Sequence, residues 1–277
     1  MSAVNCCLFS NPCENGGTCI PERHFSTRFK CACSPTFSGK YCEVGTCLDG
    51  YTGDLCDQQI TSCRGYRDGK RISGKYKIFD HQNMLYDVYC DFSLNSTMTW
   101  TLIQSYSKDN FKNFKKEFKK SFTQNEDEFQ TFSWDLYRLS KEKMESIRKD
   151  STHWRITCEF SVKQKVDYRD YLCVSLKQAD ILEMNEAGCK RVAYINVRGY
   201  ECRNCTVWLS QRNDQNPMCF NSYEAHTNSL CEFTPAEAKY CDEKKGGENN
   251  FGFYKCKNKQ HRCVAEKTST TETWLGG

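Results

Sequence analysis

Cysteine placement constrains this chain more than any other feature. Nine of its 21 cysteines (6, 7, 13, 19, 31, 33, 42, 47 and 56) fall in the first 59 residues, and twelve are spread over the rest of the 277-residue sequence. A stretch of 59 residues so poor in aliphatics cannot bury enough surface to fold unaided, so its cysteines are read as covalent staples. The remainder is long enough for an ordinary core with cross-links added. The drop in cysteine density near Gln58–Thr61 marks a boundary. Hydrophobic residues make up 38% of the chain, about 30% once cysteines are set aside, and the mean hydropathy is −0.75, which fits a modest core supplemented by disulfides. Cytosolic redox buffers would keep so many thiols reduced, so the expected location is extracellular: secreted, or the ectodomain of a surface protein. A net charge of +4 is too slight to indicate nucleic-acid binding. No apolar run approaches the roughly 18 residues of a transmembrane segment. The opening Met1-Ser-Ala-Val-Asn-Cys-Cys7 carries no basic n-region or apolar h-region, so no signal peptide is visible and the true N-terminus is expected upstream.

Two segments repeat. Cys33-Ser-Pro-Thr-Phe-Ser-Gly-Lys-Tyr-Cys42 superimposes on Cys47-Leu-Asp-Gly-Tyr-Thr-Gly-Asp-Leu-Cys56, each with an aromatic four residues after its first cysteine and a glycine two further on. Gly39 and Gly53 fit a backbone that must turn with positive φ. Upstream, Asn15-Gly-Gly17 is a turn signal between short strands. The pattern Cys7…Cys13-Glu-Asn-Gly-Gly-Thr-Cys19…Cys31-Ala-Cys33…Phe37-Ser-Gly39…Cys42 resembles an EGF-like module over residues 1–44, with 45–59 as a truncated second hairpin. Sequence alone allows 15 connectivities for six cysteines. The resemblance implies Cys6 or Cys7 with Cys19, Cys13 with Cys31 and Cys33 with Cys42, leaving Cys47 to Cys56. It also implies an O-fucose acceptor at Thr18. The acidic residues that precede the first cysteine of calcium-binding EGF modules are replaced here by Ser2-Ala-Val-Asn5, so no calcium is expected in that module. The odd total then leaves Cys6 or Cys7 spare, available for a disulfide-linked oligomer or an upstream partner, with the later twelve paired among themselves.

From Thr61 onward, Lys75–Ile78, Tyr86–Phe92 and Thr99–Gln104 are aromatic and β-branched runs separated by Gly, Asn and Ser. They are expected to form short antiparallel strands, the first two stapled by Cys63 and Cys90. Ser73-Gly-Lys-Tyr76, Tyr89-Cys-Asp-Phe92 and Trp100-Thr-Leu-Ile-Gln104 resemble the opening of a fibrinogen-related domain, clearly over residues 62–160 and weakly after. The fold class is therefore a small disulfide-rich β module joined to an α+β, mainly antiparallel-sheet fibrinogen-like domain over 60–277. Thr97-Met-Thr99 replaces the family's Gly-Gly before the tryptophan, and the cysteine count exceeds the family's usual few. The resemblance implies a Ca²⁺ loop, whose counterpart is Ser210-Gln-Arg-Asn-Asp-Gln-Asn-Pro-Met-Cys219 with Cys231 as the partner of Cys219. That loop offers Asp214, with Asn213 and Asn216, a thin set for a cation that takes about six to eight oxygen ligands.

Phe111, Phe114, Phe118 and Phe122 fall on one helical stripe. The lysines between them are then a wet face rather than a polyanion site, and Glu126-Asp-Glu128 offsets their field. Cys202-Arg-Asn-Cys205 has the spacing of a redox or zinc half-site, and a disulfide is the extracellular reading. Asn95 and Asn204 begin N-glycosylation sequons; Asn95 is expected in a turn, and Asn204 is expected to be hemmed in by its neighbouring cysteines. His24, His81, His153, His226 and His261 are scattered, and no nucleophile-elbow, zincin, Rossmann or P-loop spacing occurs, so no enzyme is expected. The expected function is a binding or adhesion protein, an EGF spacer presenting a fibrinogen-like domain to glycans or glycoproteins. The alternative is a structural extracellular-matrix component acting through protein–protein contacts and disulfides.

Overall fold

Three small hairpins open the structure, each closed by a bridge. β1 (Thr18–Pro21) pairs antiparallel with β2 (Phe29–Ala32), β3 (Phe37–Ser38) with β4 (Val44–Gly45), and β5 (Tyr51–Thr52) with β6 (Gln58–Gln59). The computed structural model describes residues 11–21, 29–34, 37–45, 47–53, 56–66, 72–92, 97–110, 118, 131–163, 165–184, 186–209, 231–233, 251 and 259–277. Disulfides join Cys13 to Cys31, Cys33 to Cys42 and Cys47 to Cys56. Gly39 and Gly53 take φ of +98° and +89°, so the repeated sequence gives a repeated turn. Cys19 is also disulfide-bonded; Cys6 and Cys7 lie outside the described residues.

The larger part is built on one antiparallel sheet. Its strands are β7 (Gly74–Phe79), β8 (Leu85–Asp91), β9 (Trp100–Ser107), β10 (Leu136–Arg138), β11 (His153–Cys158), β12 (Tyr171–Ser175), β13 (Gly188–Val197), β14 (Tyr200–Leu209) and β15 (Thr270–Gly276). The spatial order is β14-β13-β12-β11-β15-β9-β8-β7, with β10 continuing along the far half of β9. Thus β15, the strand furthest along the chain, lies at the centre between β11 and β9. Every residue of β9 and β15 is buried. Gly276 is there because the neighbouring strand comes too close for a side chain: a Cβ would lie 2.1 Å from the Thr99 carbonyl and 2.8 Å from the Trp100 ring. The helix α1 (Lys141–Lys149) starts at Ser140, whose hydroxyl accepts from the Lys143 N–H, a standard N-cap. It sinks Met144 and Ile147 into the core. A single turn, α2 (Phe160–Lys163), follows β11. Of the phenylalanine stripe at 111–122, only Phe118 is described; it is buried, with the Arg138 guanidinium 4.7 Å over its ring.

The third hairpin, β5–β6, is packed onto this sheet. The Gly50 N–H donates to the Tyr66 hydroxyl at 2.7 Å, and that hydroxyl donates to the Lys77 carbonyl of β7 at 2.6 Å. Ile60 N–H bonds Gly50 O, and Phe79 N–H bonds Ile60 O, both at 2.7 Å. Tyr51 meets Phe79 edge-on at 5.0 Å. Gly50 has φ +84°, and a Cβ there would come within 2.6 Å of Leu85. Residues 45–59 read in sequence as a truncated linker hairpin, yet backbone hydrogen bonds tie them to β7.

Among the described residues, four disulfides cross-link the sheet region: Cys63–Cys90, Cys158–Cys263, Cys189–Cys231 and Cys202–Cys205. Cys231 therefore does not pair with Cys219 as the sequence suggested. The Phe233 N–H bonds the Thr206 carbonyl, and Glu232 exchanges two hydrogen bonds with Thr206; these contacts set residues 231–233 on β14 beside the start of β13, within reach of Cys189. The parity reading changes too. Cys173 is a free, buried thiol, so the twelve later cysteines do not all pair among themselves and the odd thiol is not confined to Cys6 or Cys7. The Cys158–Cys263 bridge spans 105 residues, a separation for which chain entropy alone gives about 4.7 kcal/mol.

Tyr66→Phe is expected to strand the buried Gly50 N–H and cost about 1–3 kcal/mol, read as a lowered urea midpoint with unchanged m. Cys158→Ser/Cys263→Ser is expected to lose about 2–5 kcal/mol, measured by the same titration.

Candidate binding surface

A row of side chains runs across the sheet, since Arg203 lies opposite Tyr194, Tyr194 opposite Cys173, Cys173 opposite Arg155 and Arg155 opposite Trp274. Its inner end is a buried ion pair. Arg155 donates to Asp91 at 2.6 Å, with both side chains 3% exposed, and the other Asp91 oxygen accepts from Ser73 at 2.9 Å. The guanidinium sits 4.5 Å over Trp100 and 4.8 Å over Trp274. Two indole faces thus receive the cation that water would otherwise solvate. Beside it, burial pushes the Cys173 thiol up to about 11, so at neutral pH it is a small apolar group and no nucleophile.

The outer end of the row reaches solvent. Tyr168, Tyr171 and Tyr194 cluster with ring centroids 5.1, 5.9 and 6.2 Å apart, and Tyr168 is 55% exposed. Arg203 lies 4.6 Å over the Tyr194 ring. The Tyr194 hydroxyl donates to Glu201 at 2.6 Å and accepts from Asn196 at 3.3 Å. The Asn196 side-chain oxygen accepts from the Gly199 N–H at 2.9 Å. That bond braces the tight β13–β14 turn, where Arg198 and Gly199 take φ of +55° and +90°, the sign a two-residue hairpin loop requires. Burial, then the hydrogen bond to Glu201, raises the Tyr194 phenol above its ordinary value. The result is an aromatic platform braced by the buried Asn196 amide and bordered by a guanidinium and a carboxylate. Tyrosine and arginine held this way recur where proteins contact ligands, because rigid amphipathic rings bury area at little entropic cost.

Two further polar centres lie inside. Glu272, on central β15, accepts from Thr157 at 2.7 Å, Thr270 at 2.6 Å and the Phe160 N–H at 3.1 Å; burial outweighs these bonds and pushes its carboxyl up to about 7. Asp170 accepts from the Arg198 and Arg262 N–H groups at 2.6 and 3.0 Å and lies 3.6 Å from His261. Desolvation lowers the His261 pKa, against the pull of Asp170. Cys158, His261 and Cys263 lie close enough together to suggest a metal, but the two sulfurs are bonded to one another. Only thiolates ligate, so the oxidised protein has no metal centre there.

The sequence-derived candidates are scattered. Thr18 is exposed at the start of β1, and Asn204 is exposed on β14 with φ +50°, so flanking cysteines do not enclose it. The Thr206 hydroxyl of its sequon accepts from the Glu232 N–H. Asn95, Asn213, Asp214, Asn216 and Cys219 lie outside the described residues. Sequence reasoning missed Asp91, Arg155, Tyr168, Tyr194 and Arg203. The one signal was a charge inside an otherwise strand-like run, as in Trp154-Arg-Ile-Thr157.

The model of the EGF-like domain family matches residues 9–41, the stretch holding the Cys13–Cys31 bridge and its Asn15-Gly16 turn. Residues 9–41 are an EGF-like domain. The chain is 33% identical over 90 residues to the cubilin homolog of Caenorhabditis elegans, and 35% identical over 74 residues to human neurogenic locus notch homolog protein 2. Each match covers 22% of this chain and only 2% and 3%, respectively, of those relatives. The EGF-like domain and the disulfides point to an extracellular or ectodomain setting and a role in protein interaction. Among the described residues, no helix is long and apolar enough to cross a membrane. Within the EGF-like domain, Thr18 stands exposed one residue before bonded Cys19.

Removing Asp91 (Asp91→Ala) strands the Arg155 charge between its indoles, with an expected loss of about 3–5 kcal/mol by chemical denaturation. Glu272 makes stability depend on pH. Its carboxyl holds a proton up to about 7 in the folded chain but only to the ordinary carboxylate range when unfolded. Its contribution therefore falls as pH rises between roughly 4.5 and 7, by roughly 3 kcal/mol in all. Glu272→Gln is expected to flatten that part of the stability–pH curve, measured by urea titrations at half-unit intervals.

Proposed function

We propose that this protein is an extracellular binding or adhesion protein in which the EGF-like domain and the docked hairpin carry a fibrinogen-like sheet domain that recognises glycan or glycoprotein ligands, without catalysis. The observation that carries the reading is the Tyr168–Tyr194–Arg203 platform, open to solvent at Tyr168 and Arg203, with Glu201 on its border and Asn196 bracing it. A sugar presents an apolar C–H face and a rim of hydroxyls, and such a platform answers both with rings and with paired donors and acceptors. Further support is the resemblance of Ser73–Tyr76, Tyr89–Phe92 and Trp100–Gln104 to fibrinogen-related domains, a fold-level analogy for the ligand class. Calcium, held by Asp214 with Asn213 and Asn216, belongs to the same reading.

The test is a glycan array probed with the secreted chain, with and without a calcium chelator, alongside Tyr168→Ala and Arg203→Ala. Glycan binding is expected, at least about tenfold weaker in both variants. Loss on chelation assigns calcium to the site, whereas absence of any glycan signal in both conditions overturns the glycan reading.

A further inference from the structure

We propose that Cys202–Cys205 is a thiol-exchange site, a disulfide that external thiols open and close on an otherwise intact fold. The bridge lies within β14, the edge strand of the sheet. Strand alternation sends residues three apart to opposite faces; Asn204, at φ +50°, interrupts the alternation and lets the two sulfurs meet. Pairing with β13 keeps one register on both sides of the interruption, from Val197–Tyr200 to Gly188–Leu209. The strand is thus held by its ladder and not by the bridge.

Loop size separates this bridge from the others. A disulfide stabilises chiefly by constraining the unfolded chain, and the effect grows with the loop it closes. Cys202–Cys205 closes a separation of 3, against 27, 42 and 105 for the other sheet bridges. The hairpin bridges Cys33–Cys42 and Cys47–Cys56 each close a separation of 9, but they hold strands only two residues long, so opening them unmakes the element. Access and charge point the same way. Cys202 is partly exposed, Arg203 and Asn204 are exposed, and Arg191 donates to the Asn204 carbonyl. Arg203, between the two cysteines, and Arg191, on the Asn204 carbonyl, bring positive charge to the segment the bridge encloses, which favours a departing thiolate. Cys205 is itself buried, so Cys202 is the sulfur an external thiol reaches, whereas in Cys63–Cys90 and Cys158–Cys263 both cysteines are buried.

The exchange balances with a dithiol as co-reactant. Its thiolate attacks the Cys202 sulfur, forming a mixed disulfide and releasing Cys205 as a thiolate that takes up a proton. The second thiol of the reductant then attacks the mixed bond. Cys202 leaves as a thiol, and the reductant departs as a disulfide. Two electrons and two protons pass to the protein, and reversal restores the bridge.

The full secreted chain is titrated with dithiothreitol and, separately, with reduced glutathione, then acid-quenched, alkylated and mapped by peptide mass spectrometry, with far-UV circular dichroism followed in parallel. Cys202 and Cys205 are expected to become alkylated at least about tenfold faster than any other bridged cysteine, with the dichroism unchanged, and glutathione to leave a mixed disulfide on Cys202. Reduction in step with Cys13–Cys31 or Cys63–Cys90, or only as the dichroism collapses, overturns the proposal. Cys202→Ser/Cys205→Ser is expected to melt within a few degrees of the parent; a large drop in the melting midpoint counts against it.

Discussion

β15 makes hydrogen bonds to β11 on one side and β9 on the other, and without it the sheet divides into two halves. The strand could not be chosen for hydrophobicity, since Thr270-Thr-Glu-Thr-Trp-Leu-Gly276 is mostly polar and yet wholly buried. It survives burial because Thr270, Glu272 and Trp274 are matched, although the Thr271 hydroxyl is not. Thr270 and Thr157 bond Glu272, the Trp274 N–H bonds Thr157, and a reciprocal backbone pair links Thr99 with Gly277. Polar groups satisfied in this way inside a core cost little and fix one register. The Cys158–Cys263 bridge delivers the chain to that position, tying the end of β11 to the turn just before β15. It shortens the largest loop that folding must otherwise close by chance.

The second buried polar feature, Arg155 with Asp91, ties β11 to β8 across β15 and β9. Its desolvation is offset by a short charge-assisted bond and two indole faces. The same register row that begins at this pair emerges at Tyr194 and Arg203, so the exposed platform stands on the best-fixed part of the sheet. A recognition surface on strands braced from beneath is more rigid than one built on loops, and rigidity lowers the entropy lost on binding. The docked hairpin at 47–60 adds to this, because Tyr66, Ile60 and Phe79 tie it to β7.

The bridges divide by role. Those within the hairpins replace a core that segments of this size cannot build. The long-range bridges in the sheet region reinforce a core that exists independently of them. Cys202–Cys205 does neither, which is why it stands apart chemically.

Much of this was legible in the sequence. Cysteine spacings and the Asn-Gly-Gly turn carried the resemblance to an EGF-like module, and the pairing that the resemblance implied holds for Cys13–Cys31 and Cys33–Cys42. Strands β7, β8 and β9 were visible as aromatic and β-branched runs; the expected Cys63–Cys90 bridge forms, but it ties β8 to the helical turn Cys63–Tyr66 rather than to β7. Other features were hidden for one common reason. The partner of Cys231, the free thiol at Cys173, the central place of β15 and the Arg155–Asp91 pair all depend on residues far apart in the chain. The platform at Tyr168, Tyr194 and Arg203 likewise draws on three separate segments. Sequence therefore determined the local units and the oxidising chemistry they require, since turns and bridges between near neighbours in the chain act over short separations. Only the tertiary structure decided which distant cysteines meet, which charges are buried and which rings face solvent, because strand order in an antiparallel sheet is set by long-range pairing and core packing rather than by any local preference.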